Sequence, residues 1–446
     1  MKKVISALIV VIVVAIGAVY FASNEVEKNY QRIVNDLNNI KGFKISNNNY
    51  KKGFFGSKGS FDFSVSKDLL ENIFGKNVNE DLVFKVENEI SHTVLAFIDG
   101  FEIDSKISIQ NDMIKNIIAT FMGSNVIATT KTKVSLTGDK DVDIKFSNIE
   151  FNDKQKTAVN TKDIKIGMTL DSKDSINSLK VEADKIALKD FSEYNKVDLN
   201  IEGFYIDSSY KEPVKISKIL ESQLVPYLAK VKFKRVSFAS NDVSSILIDD
   251  FEYDSKFEIS NDLGRSDDVI KIGIVAVDKV KYTDFVFDSK IANINVPALN
   301  NVLDKLNNLN NEENYNVLAG LNFDEIIDQI LEKNPSIKID TLSFKKGYKA
   351  LKLNLDAAVN GFKKGTNQSE IFDKLSLSGK ISVDESLANF FDTLVPEVAF
   401  VEPTLISAGY FKEEDKKVIS EFKYDPNKKD IIFNGKVGLQ NFFMGF

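Results

Sequence analysis

The sequence predicts an α+β protein dominated by strands, in which an N-terminal transmembrane helix precedes large, twisted antiparallel sheets. Three observations lead to this fold class. Apolar and polar residues alternate with a period of two along much of the chain, which is typical of strands with one apolar and one solvent-facing side. Segments with helical spacing interrupt the strands, and one long apolar stretch opens the chain. We therefore expect interspersed amphipathic helices to cover the apolar side of the sheets.

The apolar stretch at residues 4–22 contains no charge and no proline. As a helix it would extend about 28 Å, close to the roughly 30 Å of a bilayer's hydrocarbon core. Lys2 and Lys3 precede it, which predicts a cytoplasmic tail at residues 1–3 and a C-terminal domain in the periplasm. The alternative is a cleaved signal peptide, for which Ala15-Ile16-Gly17 offers a small-x-small site.

After the span, residues 24–40 have the spacing of an amphipathic stalk helix, which Gly42 ends. Alternation then predicts strands, and the phase slips between Phe146 and Ile149, as a β-bulge or a bend would cause. The clearest alternating sets are Phe61-Phe63-Val65, Val142-Ile144-Phe146, Ile164-Ile166-Met168-Leu170, Leu179-Val181, Val197-Leu199-Ile201, Ile270-Ile272-Ile274 and Leu351-Leu353-Leu355.

Further helices are predicted between the strands. They are Asp112–Met122, Lys215–Lys230, Pro297–Asn310, Phe323–Lys333, Glu385–Leu394 and Pro403–Tyr410. All seven prolines lie between Pro213 and Pro426, and Tyr210 to Pro213 has the composition of a connector. We therefore predict two periplasmic sub-domains, a β-rich one at residues 23–212 and an α+β one at residues 213–446.

A weak internal repeat of helix, strand and hairpin is also predicted. The helix at 24–40 is followed by a strand at Phe43, by Tyr50-Lys-Lys-Gly and by a second strand. The helix at 323–333 is followed in the same way by a strand at Ile337 and by Phe344-Lys-Lys-Gly. The helix at 215–230 leads similarly into Val231. Such a unit would extend one sheet with helices on its apolar side.

Composition excludes several kinds of chemistry. The chain has no Cys and one His, so thiolate metal sites, disulfides and multi-histidine sites are excluded. A net charge of −7 argues against general nucleic-acid binding. His92 is expected to be a surface residue. The 65 Asp and Glu residues leave a carboxylate-based envelope hydrolase as an alternative function. The sequence does not single out which carboxyl groups would act as its general acid and general base.

Two short motifs have ordinary structural explanations. Asp139, Asp141 and Asp143 form D-x-D-x-D, but the glycine of a calcium loop is missing, so they are expected at the start and on the solvent-facing side of a strand. Gly53, Gly56 and Gly59 are expected in a hairpin or bulge. We therefore predict no catalytic, metal or cofactor-binding residue. The 34 Phe residues are expected to build a core between sheet and helices, or alternatively an apolar groove for acyl chains.

The order of these elements resembles the YdgA-like family of bacterial envelope proteins. The resemblance is carried by the N-terminal span and helix, by Tyr50, Gly53 and Ser57 of a Tyr-x-x-Gly…Ser box, and by Asn434-Gly435 in the last hairpin. Lys52 stands where members often have Arg. The resemblance covers most of the chain. It implies a protein anchored in the inner membrane and facing the periplasm, and it transfers no catalytic residue.

The leading functional hypothesis is a non-enzymatic, single-pass inner-membrane protein whose periplasmic domain acts as an envelope scaffold or interaction protein. The alternative is a periplasmic protein that binds or transfers lipid or another hydrophobic ligand in an apolar β-sheet groove. The predicted partners are the inner membrane through residues 4–22, with a second copy of the chain and a lipid as further candidates. No nucleic acid and no cofactor are expected.

Overall fold

The computed structural model describes residues 42–440 apart from several short gaps. The gaps are residues 53–55, 69, 71–79, 92–99, 113–114, 116–122, 154–156, 191–195, 216–217, 220–222, 241–244, 308–322, 364, 367, 393–394 and 396. The chain divides into two compact units, Met1–Ser217 and Lys218–Phe446. Antiparallel strands dominate both of them, and helices are few in the described residues, so the β-dominated fold class is confirmed.

Unit 1 is an antiparallel sheet in which most strands pair with their neighbours in sequence. The order is β1-β2-β3-β4-β5-β6-β9-β10-β11, and the β7–β8 hairpin pairs with the second half of β10. The strands are β1 (Phe43–Lys51), β2 (Gly56–Val65), β3 (Leu82–Ser91), β4 (Phe101–Ile109), β5 (Val126–Val134), β6 (Lys140–Phe146), β7 (Ile149–Asp153), β8 (Thr157–Lys162), β9 (Lys165–Leu170), β10 (Ile176–Asp190) and β11 (Val197–Val214).

The predicted alternation is confirmed in unit 1. Phe61, Phe63 and Val65 are buried, whereas the residues between them on β2 are partly exposed. The phase slip after Phe146 is the end of β6, where the chain turns into the β7–β8 hairpin, so of the two predicted explanations the structure shows a bend and not a bulge. Sequence periodicity alone does not distinguish a bulge from two strand ends, because both shift the phase.

An ion pair lies in the apolar face of unit 1. Lys140 begins β6, and its side chain is fully buried. Its ammonium group donates a hydrogen bond to the carboxylate of Asp174. Asp174 belongs to the turn between β9 and β10, where Asp171 accepts hydrogen bonds from the backbone N–H groups of Lys173 and Ser175. Asp174 adopts a φ of 62°, a conformation that Asp tolerates better than most residues. The turn therefore positions the carboxylate that neutralises Lys140.

The strands of unit 2 are also antiparallel, in the order β12-β13-β14-β15-β16-β17-β18-β20-β21-β22, with β19 beside the start of β20. Its strands are β12 (Tyr227–Ser240), β13 (Ile246–Ser260), β14 (Leu263–Val277), β15 (Val280–Asn295), β16 (Ser336–Lys346), β17 (Lys349–Val359), β18 (Leu375–Val383), β19 (Lys412–Glu414), β20 (Lys417–Asp425), β21 (Asp430–Phe433) and β22 (Val437–Gly438). Asn434 and Gly435 have positive φ between β21 and β22, which confirms the predicted terminal hairpin.

The described helices of unit 2 are α1 (Val296–Asn307), α2 (Phe323–Leu331), α3 (Gln368–Ile371), which continues as a 3₁₀ turn (Phe372–Lys374), α4 (Leu387–Phe391) and α5 (Val398–Ser407). Leu387 and Phe390 of α4 pack on Leu351, Val383 and Val418 of the sheet. The buried carboxylate of Glu402 on α5 accepts hydrogen bonds from the first two backbone N–H groups of α4, those of Leu387 and Ala388. These helices cover one end of the apolar face.

The helix predictions have mixed outcomes. The helices at 297–310 and 323–333 are confirmed as α1 and α2 within the described residues. The helix at 385–394 is shorter than predicted, and that at 403–410 begins earlier, at Val398, with Pro403 inside it. The prediction of a helix over 215–230 was wrong at its end, because β12 begins at Tyr227. Most of 112–122 lies outside the described residues.

The predicted connector at Tyr210 to Pro213 lies within β11, which continues to Val214. In the predicted repeat, the β1–β2 and β16–β17 hairpins are present, and α2 precedes the second of them. The predicted span at 4–22 and stalk helix at 24–40 lie outside the described residues. Among the residues that the structure does describe, no helix combines the length and the apolarity needed to cross a bilayer.

Candidate functional site: an apolar groove in unit 2

The candidate site lies at one end of a row of residues that crosses six strands of unit 2. Register pairs each member directly with the next, so all of them lie on one face of the sheet. The row is apolar apart from one serine, and β12 to β15 are long strands of 14 to 16 residues that carry the same face further. Its members are Phe257, Ser266, Ile291, Ile337, Ala357 and Leu377.

The apolar groove lies over one end of this row and has a volume of about 530 Å³. That volume falls within the roughly 300–1,000 Å³ of small-molecule sites, and such sites are typically lined by apolar side chains. Phe372 of the 3₁₀ turn forms part of its wall and is 51% exposed. The apolar residues that line the groove are Ile291, Pro335, Ile337, Ala357, Ala358, Val359, Phe372, Leu375, Leu377, Ile431 and Leu439, with Tyr424 beside them.

The opposite face of the same strands forms a second concavity, the charged hollow, of about 940 Å³. Alternation separates the two surfaces: Ile337 and Leu377 line the groove, whereas their neighbours Lys338 and Ser378 line the hollow. The other polar residues of the hollow include Asp340, Asn354, Asp356, Lys380, Glu421, Lys423 and Asn434. One sheet thus presents an apolar surface and a charged surface.

The charges of the hollow largely neutralise one another. Asp340 lies 2.6 Å from the ammonium of Lys338 and 2.5 Å from that of Lys290, and their hydrogen bonds lower its pKa to about 2. Lys380 and Glu421 pair at 2.7 Å across β18 and β20. Because these exposed pairs are already satisfied, they contribute little binding energy for a charged ligand.

A cluster of hydroxyl groups lies on the groove-bearing face, around Asp268 of β14. Its carboxylate accepts hydrogen bonds from Tyr253 at 2.7 Å, from Ser255 at 2.6 Å and from Ser266 at 2.5 Å. Burial, reinforced by the bond to Asp268, raises the pKa of Tyr253 to about 12, although Ser255 opposes the shift. Because the carboxylate already accepts three hydrogen bonds, we interpret this cluster as a link between β13 and β14 and not as a ligand-binding site.

The described carboxyl groups give the hydrolase hypothesis no support. A glycosidase acid needs a pKa raised towards neutrality. Every described carboxyl whose pKa clearly shifts has a lowered value, mainly because a Lys or Arg side chain donates a hydrogen bond to it: Glu89, Glu102, Asp249, Glu252, Asp340, Asp384 and Glu421. Within the described part of the chain, no group of three or more metal-ligating side chains could hold a metal ion.

The residues considered in the sequence lie apart from the groove. Asp141 and Asp143 are exposed on β6, which confirms the strand interpretation, and Asp139 accepts a hydrogen bond from Thr137 in the preceding turn. Gly56 and Gly59 lie on β2 of the first hairpin, as predicted. Gly53 and His92 lie outside the described residues.

Sequence reasoning missed the particular residues of the groove, although the alternation of Leu351, Leu353 and Leu355 pointed to the face on which it lies. Tyr424 was missed altogether. Its signal was its place in a period-two set with Val418, Ser420 and Phe422 on β20, two residues before the turn at Pro426.

The fold and the groove define an antiparallel β protein with one partly open apolar sheet face. Residues 1–437 match the family described as "Bacterial protein of unknown function (DUF945)", and the chain belongs to that family. Neither the curated proteins nor the solved structures include a significant match to the chain. The YdgA-like resemblance and the membrane anchor stay predictions, since the family's description mentions neither.

Proposed function

We propose that the chain is a non-enzymatic envelope protein that binds the acyl chain of a lipid in the apolar groove. In this proposal residues 4–22 anchor it in the inner membrane and its C-terminal domain faces the periplasm. The observation that carries the proposal is the groove itself, since an apolar concavity of about 530 Å³ lies on one face of a sheet whose other face is charged. Apolar surface of this kind favours an apolar ligand, because burial removes it from water.

Photo-crosslinking in living cells tests this function with the full-length chain. A photoreactive amino acid replaces Leu377, which lines the groove, and in a matched variant it replaces Ser378, which faces the charged hollow. The two positions are adjacent on β18 and point to opposite faces. We expect lipid adducts in the intact-mass spectrum of the Leu377 variant and none from the Ser378 variant.

Three other results would overturn the proposal. Equal lipid capture at both positions would indicate contact with bulk membrane. A crosslink from position 377 to residues 441–446 of the same chain would mean that the C-terminal segment occupies the groove. A protein adduct at 377 without lipid would favour the scaffold hypothesis.

A second candidate function, an interaction protein that forms homo-oligomers, is supported by a different surface. Phe400 on α5 is 84% exposed and Val395 just before α5 is 45% exposed, so two large apolar side chains face solvent. A photoreactive residue at 400 should then give a dimer-sized adduct, whereas one at the exposed Lys416 should not. A monomer at both positions would remove the support for this candidate.

A further inference from the structure

Tyr424 carries a buried hydroxyl group for which the described residues provide no hydrogen-bond partner. The residue is only 7% exposed, and it belongs to the lining of the groove and, at their shared edge, to that of the charged hollow. Buried polar groups in native proteins are nearly always hydrogen-bonded to protein or to ordered water, so each exception requires an explanation.

The position of Tyr424 on β20 puts it on the groove side of the sheet. Val418 packs in the cluster beneath α4, and residues 418, 420, 422 and 424 share one face because the side-chain period of a strand is two. Tyr424 also pairs directly with Ile431, which lines the groove. The phenol group of Tyr424 therefore lies at the edge of the apolar lining of the groove.

The charges around Tyr424 are mostly negative. Burial raises its pKa, and the carboxylates of Asp373, Asp425 and Asp430 act in the same direction, opposed by Lys429. Asp373 is already paired with Lys429, and Asp430 accepts hydrogen bonds from the backbone N–H groups of Ile431 and Gln440. An anionic head group at this wall would meet three carboxylates and one ammonium, whereas an uncharged acceptor would not be repelled.

We infer that the Tyr424 hydroxyl donates a hydrogen bond to the carbonyl of an ester-linked or amide-linked acyl chain held in the groove. This inference rests on the proposed function and specifies its ligand. The apolar lining receives the hydrocarbon, and the phenol satisfies the one polar group that enters with it. A free fatty acid is disfavoured by the local carboxylates, and a pure hydrocarbon leaves the phenol unpartnered.

The test measures crosslinking of three probes to the full-length chain held in an amphipathic polymer. The probes are diazirine-labelled methyl palmitate, palmitate and hexadecane, each titrated and followed by intact-protein mass spectrometry. The variant Tyr424→Phe removes only the hydroxyl. The control Tyr282→Phe removes another buried hydroxyl that lacks a partner in the described residues, at a position against the rings of Phe344 and Phe390 and outside the groove lining.

We expect wild type to bind the ester more tightly than palmitate, and Tyr424→Phe to weaken ester binding by about 2- to 12-fold, as one hydrogen bond would. Hexadecane binding should not change in Tyr424→Phe, and Tyr282→Phe should bind every probe as wild type does. Equal ester binding by wild type and Tyr424→Phe, with hexadecane still bound, would overturn this inference and leave the proposed function intact. Tighter binding of palmitate than of the ester would do the same. Binding of none of the probes would overturn both.

Discussion

Replacing Lys140 by Met tests the ion pair in the core of unit 1. The lysine side chain is fully buried and that of Asp174 is 6% exposed, so the substitution leaves a carboxylate without its counter-charge in an apolar face. Breaking a buried pair from one side costs about 3–5 kcal/mol. For a unit of this size each kcal/mol lowers the melting temperature by about 2–4 °C, so we expect the unit 1 transition to fall by roughly 6–20 °C.

The double variant Lys140→Met with Asp174→Asn separates two quantities. One is the net contribution of the ion pair to the free energy of unfolding, and the other is the cost of burying a carboxylate without a counter-charge. Asn tolerates the positive φ of 62° at position 174, so the second change adds little backbone strain. Because the double variant buries no charge, it should recover most of the lost stability, and a buried pair replaced by uncharged groups is often near neutral. A large coupling free energy between the two positions is therefore expected.

Scanning calorimetry, with hydrogen exchange on peptides from β6 and β9, assigns the loss to unit 1. The matched control is Lys131→Met, which breaks the exposed pair with Glu102 at 2.8 Å, where the two side chains are 48% and 41% exposed. That change should leave the unit 1 transition almost where it is in the wild type, because an exposed pair contributes little to stability. If Lys140→Met cost no more than Lys131→Met, or if the double variant were as unstable as the single one, the reasoning about the buried charge would be refuted.

Three further variants probe unit 2. Glu402→Gln weakens two charge-assisted hydrogen bonds to the first turn of α4, so we expect a loss of about 1–3 kcal/mol in chemical unfolding; no loss would mean that α4 needs no cap from α5. Gly379→Ala would push a methyl group into the Phe422 ring and to 2.7 Å from the backbone oxygen of Asn354, and a cost of about 1–3 kcal/mol is expected, only partly relieved in the Phe422→Ala background because the backbone clash remains. The two hydrogen bonds from the Arg235 guanidinium lower the pKa of Asp249 in the folded protein. The stabilisation that this pair gives the folded state is therefore complete above the ordinary Asp pKa of 3.8, and it is lost as the pH falls through the lower pKa of the folded state. Unfolding midpoints measured from pH 7 to pH 2 should therefore decline less steeply in Asp249→Asn than in the wild type.

Much of the sheet could be predicted from alternation because a period of two directly records which face a side chain occupies. This worked for Phe61, Phe63 and Val65 in unit 1 and for Leu351, Leu353 and Leu355 in unit 2. It failed at residues 215–230, where apolar spacing suggested a helix that would run into β12. Short apolar runs fit both periods, and tertiary pairing decides between them.

The candidate site was beyond the reach of the sequence for a different reason. Its lining comes from residues that register brings together over more than a hundred positions, from Ile291 to Leu439. Local patterns contain no information on which strand lies beside which. The buried pair of Lys140 and Asp174 was missed for the same reason, since a lysine between two aspartates looks solvent-facing in the sequence.

The groove and the charged hollow share the same strands, so neighbouring residues serve different surfaces. On β17, Asp356 lines the hollow and Ala357 lines the groove, and a shift of one residue would exchange their faces. Substitutions within β16 to β18 can therefore adjust either surface separately. Insertion or deletion of a single residue there would bring charges into the groove and apolar side chains into the hollow. Related chains that keep the groove should accordingly vary in side chains but hold the lengths of these strands constant.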